Sequence, residues 1–201
     1  RIRDGQDKLS KNTAIFDKSR NVILDGYPLC LMAEGRHNNR HQLLPFGKGM
    51  FRIAGETQKQ MGDKPLYIVP TGIDFDDYER PYANLVVNIG EPICVQDFME
   101  IYNENEPIAL NKMRAALSPA LKDQMHHIES QDYYEEFLTL CKFENRQYRK
   151  ERHLGNNAWN RFLMRQAIAK DLDALEARTK SEEATEQDKQ QLQNLLDKAH
   201  Q

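Results

Sequence analysis

The sequence predicts an α/β fold in which helices cover a central mixed sheet, followed by a helical C-terminal extension. Short apolar runs bounded by turn residues occur at 29–33, 66–69 and 85–89, and such runs are typical of buried strands. From about Val95 these runs stop, and charged, helix-forming sequence continues to the end of the chain. We therefore divide the chain into an α/β part, residues 1–106, and a helical extension, residues 107–201.

In the α/β part, helices are expected on either side of the first strand. Ser10 can cap a helix that Gly26 ends, and the strand at 29–33 follows. A second helix is predicted to begin near Phe46 and to end about Gly62. This order of helix, strand, loop and helix fits an α/β layer.

The next strands are predicted at 66–69, closed by Pro70 and a turn after Gly72, and at 85–89. Between them lies an acidic loop with four carboxylates, Asp74, Asp76, Asp77 and Glu79. Carboxylates can bind a hard cation, but the loop lacks the glycine and the distal glutamate of a calcium loop. We interpret it as a solvated turn, and we predict no metal site in this chain.

The helical extension carries two apolar stripes at helical spacing. The first repeats at i, i+4, i+8 and i+11, and the second at i, i+3, i+4 and i+7. Their members are Met164, Ile168, Leu172 and Leu175, and then Leu192, Leu195, Leu196 and Ala199. Such stripes predict an antiparallel helical pair, with Thr185 and Asp188 as a capping box between the helices. Pro119 is expected to begin a new helix, and the alternative is a kink within a helix.

Composition narrows the functional classes. The chain has 201 residues and a formal net charge of -3, with a pI near 6.1, so it lacks the basic character of a general nucleic-acid binder.

The three cysteines are widely spaced and form no metal or redox motif; Cys30 is expected to be a core residue. No apolar run approaches the ~18 to 20 residues that span a bilayer. Because the sequence opens on Arg1, we expect it to begin inside a domain.

Basic side chains gather around the loop after the first predicted strand. They are Arg36, His37, Arg40, Lys48 and Arg52. A loop that leads from a strand into a helix N-terminus can hold an anion, because free backbone N–H groups and the helix dipole both favour negative charge there. The alternative is an ordinary solvated turn. Glu34 would repel a phosphate, so we expect it to orient Arg36 or a backbone amide instead.

Several blocks of this sequence, taken together, resemble the glycerolipid acyltransferases of the 1-acyl-glycerol-3-phosphate acyltransferase type. They are Arg1-Ile2-Arg3-Asp4, Glu34-Gly35-Arg36-His37, Leu44 to Ala54, Tyr67 to Ile73, and Asn88 to Ile93. The resemblance covers roughly residues 1–93, which would be the last two thirds of such a domain. It implies that residues 1–106 are the C-terminal part of an acyltransferase α/β domain with a glycerol-3-phosphate acyltransferase-like fold.

The resemblance also implies which residues bind substrate. In the family, the Glu-Gly block and a preceding arginine are taken to hold the phosphate of the acyl acceptor. The positions implicated here are Arg3, Glu34, Gly35, Arg36 and His37, and we add Lys48 from the basic cluster. Two departures, Ala33 in place of the usual proline and Arg36-His37 in place of Thr-Arg, bear on the identity of the acceptor.

The family's catalytic His-x4-Asp dyad is expected upstream of Arg1, so no catalytic residue is assigned within this chain. His127 and Asp132 have the same spacing, but they follow the phosphate block and lie in the helical half. Spacing without the family's order is a weak indication. We interpret this pair as a polar helix boundary.

The resemblance implies transfer of a fatty acyl group from acyl-coenzyme A or acyl carrier protein to a glycerol phosphate or lysophospholipid, such as lysophosphatidic acid, in phospholipid synthesis. No cofactor is expected beyond the acyl donor as co-substrate, and the chain is expected to be inactive alone. We expect the protein to lie on the cytoplasmic face of a membrane, where this chain would be peripheral. The alternative is a non-catalytic helical interaction protein with a degenerate anion-binding scaffold.

Overall fold

A computed structural model describes residues 7–36, 38–75 and 83–200, without the side chains of residues 7–12. Helices dominate these residues, and the strands are short. The helices are α1 (Asp7–Leu24), α2 (Gly49–Met61), α3 (Met99–Glu104), α4 (Glu106–Lys122), α5 (Tyr134–Phe143), α6 (Asn145–Glu151), α7 (Ala158–Thr179) and α8 (Glu186–Ala199). The strands are β1 (Tyr67–Ile68), β2 (Thr71–Phe75), β3 (Leu85–Ile89) and β4 (Ile93–Cys94).

The chain forms two compact units that interleave along the sequence. Unit 1 contains residues 1–38, 44–70 and 90–120, and unit 2 contains residues 39–43, 71–89 and 121–201. The predicted division after residue 106 stays a prediction about how the protein is organised. The compact units follow packing between distant segments, which composition does not reveal.

Unit 1 is organised around α2, because this helix buries an apolar face that includes Phe51, Ile53 and Ala54. Gly55 lies on the same helix, where a Cβ atom would come within 2.4 Å of the Tyr102 ring. The absence of a side chain therefore lets α2 and α3 approach closely. The segment after α2 leads into β1, which pairs antiparallel with β4.

Gln58 connects the end of α2 to the sheet of unit 1. Its buried side-chain amide donates to the carbonyls of Gly62 and Lys64 at 2.9 and 3.0 Å, and its carbonyl accepts from the Leu66 N–H at 2.7 Å. These bonds satisfy backbone groups that a buried turn would otherwise leave unpaired. They also fix the direction in which the chain enters β1.

Unit 2 combines a β-hairpin with a helical core. Strands β2 and β3 pair antiparallel in the register Thr71↔Ile89 to Phe75↔Leu85. The core packs α5, α7 and α8 together through apolar side chains. Its fully buried members include Ile128, Phe137, Leu140, Cys141, Ile168 and Ala169. Burial raises the pKa of Cys141 to about 12, so this cysteine is a packing residue.

The α/β character predicted from the sequence is confirmed, but the central mixed sheet is not. Within the described ranges the strands form two separate antiparallel pairs, β1 with β4 and β2 with β3. The strand predicted at 29–33 is wrong, since residues 29–32 have no regular secondary structure. Cys30 is correspondingly exposed. An apolar run becomes a strand only where a partner edge is available, and periodicity does not show that.

The prediction of an acidic turn is wrong for its first residue, Asp74. Asp74 lies in β2 and is only 3% exposed, whereas Asp76, Asp77 and Glu79 lie outside the described residues. The turn predicted after Gly72 is also wrong, because Gly72 and the residues that follow it lie in β2. Glycine is also selected where two backbones approach closely, and sequence does not separate that role from a turn.

The helical half agrees better with the sequence. Helices α7 and α8 carry the two predicted stripes, and α8 begins with the predicted capping box of Thr185 and Asp188. Pro119 lies inside α4 and does not begin a helix. Among the described residues, no helix has the length and apolar character needed to span a membrane.

Candidate functional site

The loop after α1 is built around Glu34 and Gly35 in unit 1. Gly35 has a φ of +61°, a left-handed conformation that glycine adopts without strain. The Glu34 carboxylate accepts a hydrogen bond from the backbone N–H of Leu44 at 3.0 Å. Glu34 therefore orients a backbone amide, which is one of the two roles expected from the sequence.

Three of the predicted basic residues are exposed in unit 1, at or before the start of α2. Arg36 follows the Gly35 turn, and Lys48 is the N-cap residue of α2. The first turn of α2 contains no acidic residue, so the positive end of the helix dipole is not neutralised from within the helix. Arg52 was expected beside them as an anion ligand, but its Nε donates to Glu106 Oε1 at 3.0 Å.

The remaining predicted residues are Arg3, His37 and Arg40. Arg3 and His37 lie outside the described residues, so their assignment to the acceptor phosphate stays a prediction. Arg40 belongs to unit 2, where its guanidinium lies 4.7 Å from the centre of the Tyr134 ring. That contact is a cation–π interaction.

Unit 2 contains a buried polar cluster that the sequence did not reveal, formed by His41, Asp74, His126 and Arg165. We call it the histidine cluster. Arg165 donates to Asp74 Oδ2 at 2.5 Å, and His41 Nδ1 lies 3.6 Å from Asp74 Oδ1. The rings of His41 and His126 have centroids 4.4 Å apart.

Four chain segments bring the histidine cluster together. The backbone carbonyl of His41 accepts from the Ile128 N–H at 2.9 Å, and the His41 N–H donates to the Tyr134 hydroxyl at 2.6 Å. Strand β2 supplies Asp74, and α7 supplies Arg165. The sequence predicts a turn at Asp74. No spacing pattern joins these residues, so no sequence motif could have identified the cluster.

Burial controls the charge state of the two histidines. Burial, with smaller contributions from the positive charges of Arg165 and Lys142, lowers the pKa of His41 to about 4. Burial is also the main cause that lowers the pKa of His126 well below its usual value. Both imidazoles are therefore neutral at neutral pH.

His126 differs from the other members of the histidine cluster in its burial and its hydrogen bonding. It is 0% exposed, and neither ring nitrogen has a hydrogen-bond partner in the part of the chain that the structure describes. A buried polar group without a partner costs about 1–3 kcal/mol. Packing in the core therefore does not explain why a histidine occupies this position.

His127 and Asp132 behave as the polar boundary that the sequence suggested. His127 Nδ1 accepts from the backbone N–H of Leu43 at 3.1 Å. The Asp132 carboxylate pairs with Lys180 at 2.7 Å. Each side chain thus has its own structural partner.

Comparison with known proteins relates part of this chain to a protein family. Residues 3–74 match the model of the Acyltransferase family. This segment is acyltransferase-like. A relative described as an uncharacterized acyltransferase of Schizosaccharomyces pombe is 26% identical over 91 residues, which cover 45% of this chain and 14% of the relative. No solved structure matches the chain.

The acyltransferase-like segment includes Glu34, Gly35, Arg36 and Lys48, and also His41 and Asp74 of the histidine cluster. His126 and Arg165 lie beyond it. The match supports a transferase and acyl transfer in general. Because the matched region is about one seventh of the relative's length, the activity of the whole protein is a matter for proposal.

Proposed function

We propose that this chain is part of an O-acyltransferase that moves a fatty acyl group from acyl-coenzyme A or acyl carrier protein to the hydroxyl of a glycerol phosphate or lysophospholipid, in phospholipid synthesis. The observation that carries the proposal is the acyltransferase match over residues 3–74. The exposed cations near α2 supply chemistry that suits a phosphate-bearing acceptor.

The acceptor phosphate is assigned to Arg36, Lys48 and the N-terminal amides of α2. Support comes from the exposure of both cations and from the absence of an acidic residue in the first turn of α2. Charge-assisted hydrogen bonds of this kind contribute about 1.5–3 kcal/mol each. Glu34 is not assigned to the anion, because its carboxylate accepts a hydrogen bond from the Leu44 amide.

The role of this site in catalysis is to position the acceptor. Holding the phosphate fixes the hydroxyl relative to the acyl donor, which lowers the entropic part of the barrier. A glycerol hydroxyl also needs a general base, which contributes about 10²- to 10⁴-fold. The proposal assigns that base and its aspartate to sequence upstream of Arg1, since His127 is already engaged with Leu43.

A peripheral position on the cytoplasmic face of a membrane is part of the proposal. It is supported by apolar side chains that project from the segment before Glu34. Tyr27, Leu31 and Met32 are 68%, 43% and 74% exposed. Such side chains can contact a lipid surface that carries the acceptor.

The test measures binding of glycerol 3-phosphate and lysophosphatidic acid to the 201-residue chain by NMR titration. Arg36→Ala and Lys48→Ala should each weaken binding by about tenfold or more, the effect of about 1.4 kcal/mol. Lys59→Ala is the matched control, because Lys59 is exposed in the last turn of the same helix. It should leave the affinity unchanged.

Equal affinities for all these variants and the unmodified chain would remove the phosphate assignment. Activity is tested separately by following thiol release from acyl-coenzyme A, with this chain beside a protein extended upstream of Arg1. We expect turnover only from the extended protein. If neither protein transfers acyl groups, the alternative of a non-catalytic anion-binding scaffold is favoured.

A further inference from the structure

We propose that His41, Asp74 and His126 of unit 2 form a binding site for a zinc ion. Within the described ranges these residues are the group whose ligand atoms could hold a metal, and all three atoms lie within 4.8 Å of one another. The inference does not depend on the proposed acyl transfer, because none of these residues is assigned to the acceptor or to the reaction.

The spacing of the ligand atoms suits a tetrahedral ion. Zinc binds histidine nitrogen and carboxylate oxygen at about 2.0–2.2 Å, which places neighbouring ligand atoms about 3.4 Å apart. His41 Nδ1 and Asp74 Oδ1 are 3.6 Å apart, close to that separation. The ligand nitrogen of His126 lies within 4.8 Å of the other two ligand atoms, and no described residue holds the His126 ring by a hydrogen bond.

The environment of His126 provides a second, independent observation in favour of a metal site. It is fully buried, and both of its ring nitrogens lack partners among the described residues. A buried imidazole normally donates or accepts at least one hydrogen bond. A metal ion satisfies one ring nitrogen and so explains why a polar ring occupies this place.

Arg165 decides which kind of metal suits the site. Its guanidinium occupies Asp74 Oδ2 and leaves Oδ1 on the side of His41. Carboxylate ligands are commonly oriented by such an outer hydrogen bond. With that oxygen occupied, the cluster offers one carboxylate oxygen and two imidazole nitrogens, a set that suits zinc, whereas calcium and magnesium need several oxygen ligands.

The experiment uses the 201-residue chain, stripped with a chelator and dialysed. Zinc chloride is then titrated by calorimetry, and native mass spectrometry counts the bound ions. We expect one zinc ion per chain and a rise in the unfolding temperature. NMR of the unmodified chain should show that the ring signals of His41 and His126 shift on zinc addition, which tests the site without any substitution.

The decisive variant is His126→Leu, because it removes a ligand without breaking a hydrogen bond to any described residue. The variant should fold and should bind zinc at least about tenfold more weakly, the lower end of the loss seen when metal sites are perturbed. His200→Gln is the matched control, since His200 is exposed and lies 3.2 Å from Glu136. It should retain the affinity of the unmodified chain.

Three results would overturn the proposal. They are an unmodified chain that binds no zinc, ring signals of His41 and His126 that do not move, and zinc affinity that falls in His200→Gln as much as in His126→Leu. If His126→Leu fails to fold by circular dichroism, His41→Gln takes its place with the same expected loss. The measurements on the unmodified chain stand in either case.

Discussion

The small size of Gly72 matters for packing within unit 2. A Cβ atom at this position of β2 would lie 1.9 Å from the backbone carbonyl oxygen of Gln124. Backbone atoms cannot move away as the end of a flexible side chain can. The close approach of β2 to the segment before α5 therefore requires glycine, and it helps to place Asp74 within the histidine cluster.

Gly72→Ala should destabilise the chain by about 1–3 kcal/mol, the usual cost of forcing extra atoms into a packed region. Urea unfolding followed by fluorescence and circular dichroism measures the change. Gly155→Ala is the matched control, because nothing lies within 4 Å of the added Cβ atom; it should change stability by less than about 0.5 kcal/mol. Equal effects of the two substitutions would contradict the packing argument.

At the scale of the elements, α8 is held to unit 2 by one face. Leu192 and Leu196 are 7% and 8% exposed in the core with α5 and α7, whereas Leu195 is only partly buried against that core. The capping box at Thr185 satisfies backbone N–H groups at the start of the helix. Burial of the leucines, more than helix propensity, stabilises a helix of this length.

Leu196→Ala should lower the free energy of unfolding by about 2–5 kcal/mol, because it removes transfer energy and leaves a cavity. Leu195→Ala deletes the same atoms from the neighbouring position and should cost clearly less. Thermal and urea unfolding of both variants provide the comparison. A larger loss from Leu195→Ala would mean that α8 packs with another face.

At the scale of the whole molecule, the interleaving of the two units affects how the chain can be divided. Unit 1 continues to residue 120 and buries Ala109, Leu110, Met113 and Leu117 of α4. Unit 2 uses residues 39–43 and 71–89 in addition to the helical half. A cut after residue 106, as the sequence suggested, removes part of both units.

Neither residues 1–106 nor residues 107–201 should therefore unfold cooperatively when produced alone. The first piece lacks α4, and the second lacks β2, β3 and His41. Thermal unfolding by circular dichroism, with the intact chain as reference, tests this expectation. A sharp transition in the piece 1–106 would instead support the boundary predicted from composition.

The features that the sequence predicts correctly depend on local chemistry. The stripes of α7 and α8, the capping box at Thr185 and the strand at 85–89 depend on residues close together in the chain, so they could be predicted and are observed. Family blocks led to the acyltransferase-like segment, since motifs keep their order along a sequence. The bond from Glu34 to Leu44 also follows from local charge, because a carboxylate beside a proposed phosphate site needs another partner.

The pairing of the strands and the positions of the buried charges depend on long-range packing. The apolar run at 29–33 resembles a strand, yet strand formation depends on a partner edge that may come from anywhere in the chain. In the sequence Asp74 resembles a turn residue. In the structure it pairs with Arg165, which lies on a helix distant in the sequence. His41 and His126 meet for the same reason: burial and long-range packing bring together residues that no spacing in the sequence connects.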